Sequence, residues 1–126
     1  MTVKGRCSSS DEVRVEIKRR QLKPGVVALE MSGRILMGPD CQQLEKEIDQ
    51  LLAAGQLRVV LDLSGVYQID SAGVGKIVMC FARLRRAGGE MRLAGVKGML
   101  DGVFKMTQVH KVIGMHSTSA EAAENF

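Results

Sequence analysis

Aromatic side chains are scarce in this sequence, and several other features are missing altogether. Among its 126 residues are three Phe, one Tyr and no Trp, so a hydrophobic core must be built mainly from aliphatic side chains. We expect the eight Met to fill irregular gaps in that core. The same shortage leaves no aromatic platform on which bases could stack, so we expect no nucleic acid among the partners.

Cysteine pairs and long apolar runs are also absent. Cys7, Cys41 and Cys80 are widely spaced and form no C-x-x-C pair, which argues against a disulfide framework or a zinc site and fits a reducing cytosol. No segment approaches about 18 consecutive apolar residues, and no apolar stretch near the first residue is typical of a signal peptide. We therefore predict a cytoplasmic protein with no membrane insertion and no metal.

The remaining composition is that of an ordinary globular chain. Hydrophobic residues make up 45% and charged residues 25%, and the net charge is +4. The densest basic cluster, Arg83, Arg85 and Arg86, falls where a helix is predicted to end, so it complements the helix dipole. The polar residues 1–11 are interpreted as a flexible tail, and residues 12–126 as one domain.

Hydrophobic periodicity predicts an α/β fold. Alternating or continuous apolar runs indicate strands at about 13–18, 26–31, 59–63, 91–94 and 112–115. Apolar positions three and four apart indicate helices at about 40–54, 71–87, 97–107 and 119–125. The order β-β-α-β-α-β-α-β-α implies an antiparallel hairpin followed by parallel strands. We expect a mixed sheet of four to five strands with about four helices.

The same pattern predicts which side chains are buried. Ten apolar residues fall on the predicted inner faces of helices and strands. They are Leu44, Ile48, Leu52, Val60, Leu61, Ile77, Val78, Phe81, Leu93 and Phe104. Cys41 and Cys80 are expected to pack there as small hydrophobic residues.

The most informative segment leads from a buried strand through a short loop, predicted at 64–70, into the second helix. Ser71 stands at the mouth of that helix, where its hydroxyl could serve as the N-cap. Gly73 and Gly75 follow, although a helical glycine costs about 1 kcal/mol relative to alanine. Either something approaches the backbone closely here, or this is a plain serine cap with loosely packed glycines.

The residues Asp70-Ser71-Ala72-Gly73-Val74-Gly75 resemble the Asp-Ser-Ser-Gly-Leu-Gly signature of STAS domains, the family of bacterial anti-sigma-factor antagonists. The segment 60–66 is similar to the family's strand and loop before the signature. The segment 88–93 resembles its Gly-Gly-x-Leu-x-Leu stretch. Gly33-Arg34-Ile35 with Gly38 resembles the loop before its first helix, and the likeness extends over residues 13 to 124.

The resemblance implies a non-enzymatic binding switch without a cofactor. Ser71 would be phosphorylated by an anti-sigma factor that is also a serine kinase of histidine-kinase-like ATPase fold, and a phosphoserine phosphatase would reset it. The unmodified protein, a monomer or weak homodimer, would bind the kinase and free a sigma factor for transcription. The resemblance implies partner contacts by six further residues: Arg34, Asp70, Ala72, Gly73, Val74 and Gly75.

Two departures from the family pattern bear on this hypothesis. Ala72 replaces the second serine of the signature and leaves a single acceptor hydroxyl. Many antagonists carry an aspartate shortly after the glycine of the second strand, where this chain has Ile35, Leu36 and Met37. Met37 is expected on a loop and could be exposed. Some STAS proteins are docking modules that are never phosphorylated.

Two alternative functions therefore stay open. One is a constitutive STAS scaffold within a stress-signalling or lipid-transport assembly. The other is a small α/β enzyme, which is disfavoured because no acid–base pair is evident. Gly73-Val74-Gly75-Lys76 lacks the spacing of a P-loop, and His110 and His116 have no nearby cluster of metal ligands, so we expect no catalytic residue.

Overall fold

The computed structural model describes residues 15–126, which form one five-stranded sheet and four α-helices. The spatial order of the strands equals their order along the chain. The strands are β1 (Val15–Lys23), β2 (Val26–Ile35), β3 (Arg58–Ile69), β4 (Glu90–Ala94) and β5 (Met115–His116). β1 and β2 pair antiparallel, and all later pairs are parallel. The mixed sheet and the α/β class are as predicted.

The helices follow the predicted alternation with the strands. They are α1 (Pro39–Ala53), α2 (Ser71–Arg86), α3 (Met99–Met106) and α4 (Ser119–Ala123). A short 3₁₀ turn, Val109–Lys111, precedes β5 and was not predicted from the sequence. No helix in this part of the chain is both long and apolar enough to cross a bilayer. The interpretation of residues 1–11 as a tail lies outside the described residues.

Several boundaries differ from the sequence prediction. β1 and β2 continue to Lys23 and Ile35, beyond the ends predicted near residues 18 and 31, because β1 keeps pairing with β2 and β2 keeps pairing with β3 up to these ends. β3 does not end before a loop at residue 64 but continues to Ile69, because Val66 is buried and the strand keeps pairing with β2 through two register shifts. The last strand begins at Met115 rather than near Val112, which is exposed behind the 3₁₀ turn. α3 is shorter at its start than predicted, because it begins after Gly98.

The main core lies between the sheet and the first three helices. Eight of the ten predicted core residues are buried, whereas Leu52 is half-buried and Val78 is 36% exposed. The buried face of α2 is centred on Ile77, Phe81 and Leu84, and Val78 lies beside that face toward solvent. Cys41 and Cys80 are buried as expected.

The expectation that the methionines fill the core is confirmed for some of them and wrong for others. Met31 and Met91 are buried, but four others are among the most exposed large apolar side chains. These four are Met37, Met79, Met99 and Met106. The core is filled mainly by branched aliphatic residues and two Phe, so these four methionines lie on the protein surface.

A second, smaller apolar cluster lies under α4. It contains Val26, Ala28 and Val60 of the sheet and Ala122 and Ala123 of the helix. Arg92 fastens this segment, since its Nη1 donates to the carbonyl oxygens of Ala122 and Glu124, each at 2.9 Å. The Arg92 guanidinium also lies 4.1 Å from the centre of the Phe126 ring.

Candidate functional site

Ser71 is the first residue of α2 and lies where two parallel strands end together. Ile35 closes β2 and is paired with Ile69, which closes β3, so Ser71 stands at the carboxyl edge of the sheet. This edge is where open α/β sheets commonly place their binding residues. The Ser71 side chain is exposed, and no hydrogen bond within residues 15–126 engages its hydroxyl.

Asp70, not Ser71, caps the helix. Its Oδ1 accepts a hydrogen bond from the backbone N–H of Gly73 at 2.8 Å, and its own backbone is extended as an N-cap requires. The sequence analysis named only Ser71 as a possible N-cap, and the structure gives that role to the residue before it. The correction matters chemically, because it leaves the Ser71 hydroxyl available for reaction.

The second oxygen of Asp70 ties a neighbouring loop to the helix. Oδ2 accepts from the backbone N–H of Met37 at 2.9 Å, and the Asp70 N–H donates to the carbonyl oxygen of Ile35 at 3.4 Å. Both carboxylate oxygens thus serve the junction of β2, β3 and α2. These hydrogen bonds fix the position of the loop beside Ser71.

Asp40 holds the same loop from the other side, a role that the sequence analysis missed. Its carboxylate is buried and accepts from the backbone N–H groups of Val15 at 3.0 Å and Leu36 at 3.1 Å. In the sequence analysis, residue 40 was only the first position of the first predicted helix. An acidic residue immediately after Pro39 is compatible with both roles, and only the fold reveals the long-range bond to β1.

The two glycines of the signature have different roles. A β-carbon on Gly73 would lie 2.4 Å from the carbonyl oxygen of Ile35 and 2.7 Å from Cγ1 of Ile69, so α2 approaches the strand ends closely here. A β-carbon on Gly75 would have no atom within 4 Å, apart from the backbone of its own helix. The expectation of a close approach is confirmed at Gly73 and is wrong at Gly75.

The six residues expected to contact a partner separate into accessible and hidden positions. Gly75 is exposed and Asp70 and Ala72 are half-buried, whereas Gly73 and Val74 are buried. Arg34 precedes the buried Ile35 on β2. Alternation along a strand therefore places the Arg34 side chain on the sheet face opposite the helix.

Exposed apolar residues lie on the loop beside Ser71 and about two turns farther along α2. Met37, on the loop held by Asp70, is 74% exposed, as the sequence suggested. Val78 and Met79 stand on the outer side of α2, beyond Gly75. We call Ser71, Gly75, Val78 and Met79, together with Met37, the α2 surface.

The charges of α2 are all positive. Lys76 is paired with Glu45 at 3.1 Å and Arg83 with Asp49 at 2.6 Å, and these bridges join α2 to α1. Arg85 lies with its guanidinium 5.7 Å from the centre of the Phe81 ring. The cluster that includes Arg86 occupies the last turn, as predicted. The helix α2 is thus apolar near Ser71 and basic in its last turn.

The buried thiols are poor nucleophiles. Burial raises the pKa of the Cys41 thiol, whose Sγ donates to the carbonyl oxygen of Leu36 at 3.3 Å. Burial also raises the pKa of Cys80 to about 12. Because the thiolate is the reactive form, neither group is suited to covalent chemistry at neutral pH.

A separate polar cluster lies on the opposite face of the sheet. Burial alone would raise the pKa of the Asp62 carboxyl, yet hydrogen bonds from Ser64 and Ser119 hold it below its ordinary value. The Ser119 hydroxyl donates to Asp62 Oδ2 at 2.7 Å and the Ser64 N–H to Oδ1 at 3.0 Å. These bonds tie α4 to β3.

Comparison with known proteins gives a consistent result. The family model described as the STAS domain matches residues 12–122. A candidate anti-sigma factor antagonist of Bordetella bronchiseptica, BtrV, is 28% identical over 92 residues, which are 73% of this chain and 79% of that protein.

Solved structures share the fold at lower identity. A candidate anti-sigma factor antagonist of Thermotoga maritima superposes with a TM-score of 0.78 at 24% identity, covering 86% of this chain and 92% of that one. The Bacillus cell fate determinant SpoIIAA in its phosphorylated form superposes with a TM-score of 0.67 at 18% identity, covering 85% and 96%. At these identities the likeness concerns the fold.

Proposed function

The chain belongs to the STAS domain family, and from that premise we propose that it is an anti-sigma factor antagonist switched by phosphorylation of Ser71. The unmodified protein binds an anti-sigma factor that is also a serine kinase, and the phosphorylated protein releases it. The name of the Bordetella relative supports the antagonist role. The proposed site of action is the cytoplasm, and residues 12–126 are the proposed binding domain.

The observation that carries the proposal is the free, exposed hydroxyl of Ser71. Asp70 supplies the N-cap, so Ser71 can react without uncapping α2. In the transfer step, Ser71 Oγ bonds to the γ-phosphorus of ATP while the bond from that phosphorus to the bridging oxygen breaks. ADP leaves, and the hydroxyl proton passes to a base of the kinase. A phosphatase returns the serine by hydrolysis.

The modification acts on binding more than on folding. A phosphoserine adds roughly −1.5 to −2 charges at pH 7. At the start of α2 the helix dipole favours negative charge by about 0.3–1 kcal/mol. On the α2 surface the same group brings a hydration shell beside Met37 and Gly75, which a docking partner would have to remove. Against an acidic or apolar patch of the partner, this group can cost several kcal/mol, which is more than the helix dipole contributes. Because about 1.4 kcal/mol is a tenfold change in affinity, the interface effect dominates.

Two substitutions of Ser71 test the proposal. Both are assayed with the serine kinase of histidine-kinase-like ATPase fold that is encoded in the same genome. With ATP, wild-type protein should gain one phosphate, located at Ser71 by peptide mass spectrometry, and Ser71→Ala should gain none. In calorimetry, Ser71→Ala should bind as tightly as the unmodified protein, and Ser71→Asp more than about tenfold more weakly.

Ser117→Ala is the matched control, because Ser117 is also exposed but lies beyond β5, away from α2. It should be phosphorylated and bound like wild type. If the kinase binds wild type, Ser71→Ala and Ser71→Asp equally and adds no phosphate, the proposed switch is wrong. The constitutive scaffold is then the better interpretation.

A further inference from the structure

A second surface of α2 lies at the end of the helix that is farthest from Ser71. There the last two turns of α2 and the residue after the 3₁₀ turn line an open groove of about 630 Å³. Its lining residues, which we call the basic groove, are Phe81, Ala82, Arg85, Arg86 and Val112. Because an α-helix rises about 1.5 Å per residue, this groove lies about 20 Å from Ser71.

The two arginines of the basic groove have no acidic partner within residues 15–126. The other two cations of α2 differ, since Lys76 and Arg83 are paired with carboxylates of α1. Arg85 and Arg86 are exposed, and the guanidinium of Arg85 lies 5.7 Å from the centre of the Phe81 ring. Each arginine can therefore bind a carboxylate without breaking an ion pair of the described chain.

The end of α2 does not need these two side chains to satisfy its backbone. The three N–H groups that follow the helix, those of residues 87–89, already donate to carbonyl oxygens of its last turn. A favourable interaction with the helix dipole requires only positive charge. It does not require Val112, which is 59% exposed, or the Phe81 ring beside the guanidinium groups. Arginine next to apolar contact area is instead typical of protein–protein interfaces.

The chemistry of the basic groove specifies what it can bind. A guanidinium group binds a carboxylate through two parallel N–H···O hydrogen bonds. Stacking on Phe81 holds Arg85 in place, so less conformational freedom is lost when a carboxylate binds. Val112 and Ala82 provide apolar contact for an aliphatic side chain. Single-stranded nucleic acid would need exposed rings on which to stack bases, and Phe81 is only 9% exposed.

We propose that the basic groove docks an acidic, partly apolar segment of a partner protein. A carboxylate of that segment pairs with each arginine, and an aliphatic side chain packs against Val112. The contact is smaller than the roughly 800 Å² per partner of stable interfaces, so this segment alone binds weakly. Because the basic groove and Ser71 lie at opposite ends of α2, the docking does not depend on the function proposed above.

Titration of the full chain with a synthetic peptide tests the proposal. The probe is a short helix-forming peptide of glutamate, leucine and alanine, compared with its analogue that has glutamine in place of glutamate. Backbone amide NMR shifts should change mainly at the basic groove, with a dissociation constant on the order of 0.1–1 mM at low salt. The glutamine analogue should bind at least about tenfold more weakly. Equal binding of the two peptides, or shifts centred elsewhere, would overturn the proposal.

Variants separate docking at the basic groove from general attraction to a positive protein. Arg85→Gln/Arg86→Gln should weaken binding of the glutamate peptide by at least about tenfold, and Val112→Ser by about threefold. Lys18→Gln/Lys97→Gln is the matched control, because it removes the same charge at two exposed lysines outside the groove and should bind like wild type.

Two results with these variants would contradict the proposal. Equal losses in the two double variants would show that only the net charge matters. Tighter binding of duplex DNA, or of vesicles of phosphatidylserine and phosphatidylcholine, through the same two arginines would assign the basic groove to a nucleic acid or a membrane instead of a protein segment.

Discussion

Asp70 is the residue on which the geometry of the Ser71 site most depends. Asp70→Ala removes the cap on Gly73 and the bond to the Met37 N–H, and we expect a loss of about 1–2 kcal/mol in the free energy of unfolding. Asp70→Asn keeps one acceptor oxygen, so it can preserve the cap while losing the tie to the loop. Urea denaturation measures the stability, and amide exchange at Met37 and Gly73 reports each bond separately.

The two variants should give different exchange patterns. Asp70→Ala should speed exchange at both amides, whereas Asp70→Asn should speed it only at Met37, because asparagine is as good an N-cap as aspartate. Unchanged exchange at Met37 in both variants would show that the loop does not depend on Asp70.

The lowered pKa of Asp62 predicts that the protein loses stability in acid. Its folded-state pKa lies below the ordinary value, so its contribution is present above about pH 4 and is lost as the pH falls through that lower pKa. Ser119→Ala removes one of the hydrogen bonds that favour the carboxylate. We expect the variant to lose more stability at pH 7 than at pH 2, measured by urea midpoints at both values.

Ser117→Ala serves as the control, because it leaves both hydrogen bonds to Asp62 in place. This variant should change the urea midpoints at pH 7 and at pH 2 only slightly and by equal amounts. If Ser119→Ala also loses the same stability at pH 2 as at pH 7, the hydroxyl contributes packing alone and not charge-dependent stability.

At the scale of the element, the two glycines at the start of α2 give opposite expectations. Gly73→Ala forces a β-carbon against the Ile35 carbonyl oxygen and should lower the free energy of unfolding by about 1–3 kcal/mol. Gly75→Ala meets open space and should raise it by about 0.5–1 kcal/mol through helix propensity. Thermal unfolding of the two variants measures both effects. Shifts of the same sign in their thermal midpoints would contradict the close contact at Gly73 and the open space at Gly75.

The elements that could be predicted from the sequence are those with a strong local pattern. α1 and α2 have apolar residues at helical spacing, and their bounds agree with the prediction to within a residue or two. The extension of β3 could not be predicted, because Ser64-Gly65 looks like a turn. The structure places Gly65 inside the strand, where a β-carbon would lie 2.8 Å from Cβ of Ser32 on β2.

Within the candidate site, local chemistry was predictable and long-range contacts were not. Ser71 at the start of a helix followed from residue types alone. Whether Asp70 or Ser71 caps the helix depends on backbone angles that the residue types alone do not determine. The bonds from Asp40 to Val15 and from Asp70 to Met37 span 25 and 33 residues, so only the assembled sheet reveals them.

For the whole molecule, the two sides of the sheet differ in what they carry. The α2 surface belongs to the helix layer over the main core, and it presents Ser71 beside exposed apolar residues. The opposite face carries the Asp62 cluster and the apolar residues under α4. The alternation of strands and helices predicted the layers, but nothing in the short alanine-rich segment of α4 indicated which face it would cover.

The order of the strands has a consequence for synthesis on the ribosome. Because each strand pairs with its neighbours in the chain, each strand after β1 finds an edge already present when it emerges. The residues that cover Val26, Ala28 and Val60 come last, with Ala122 and Ala123. A nascent chain with all five strands therefore still exposes these apolar residues on one face of the sheet. Until α4 packs over them and Arg92 binds its carbonyl oxygens, chaperones can bind this face.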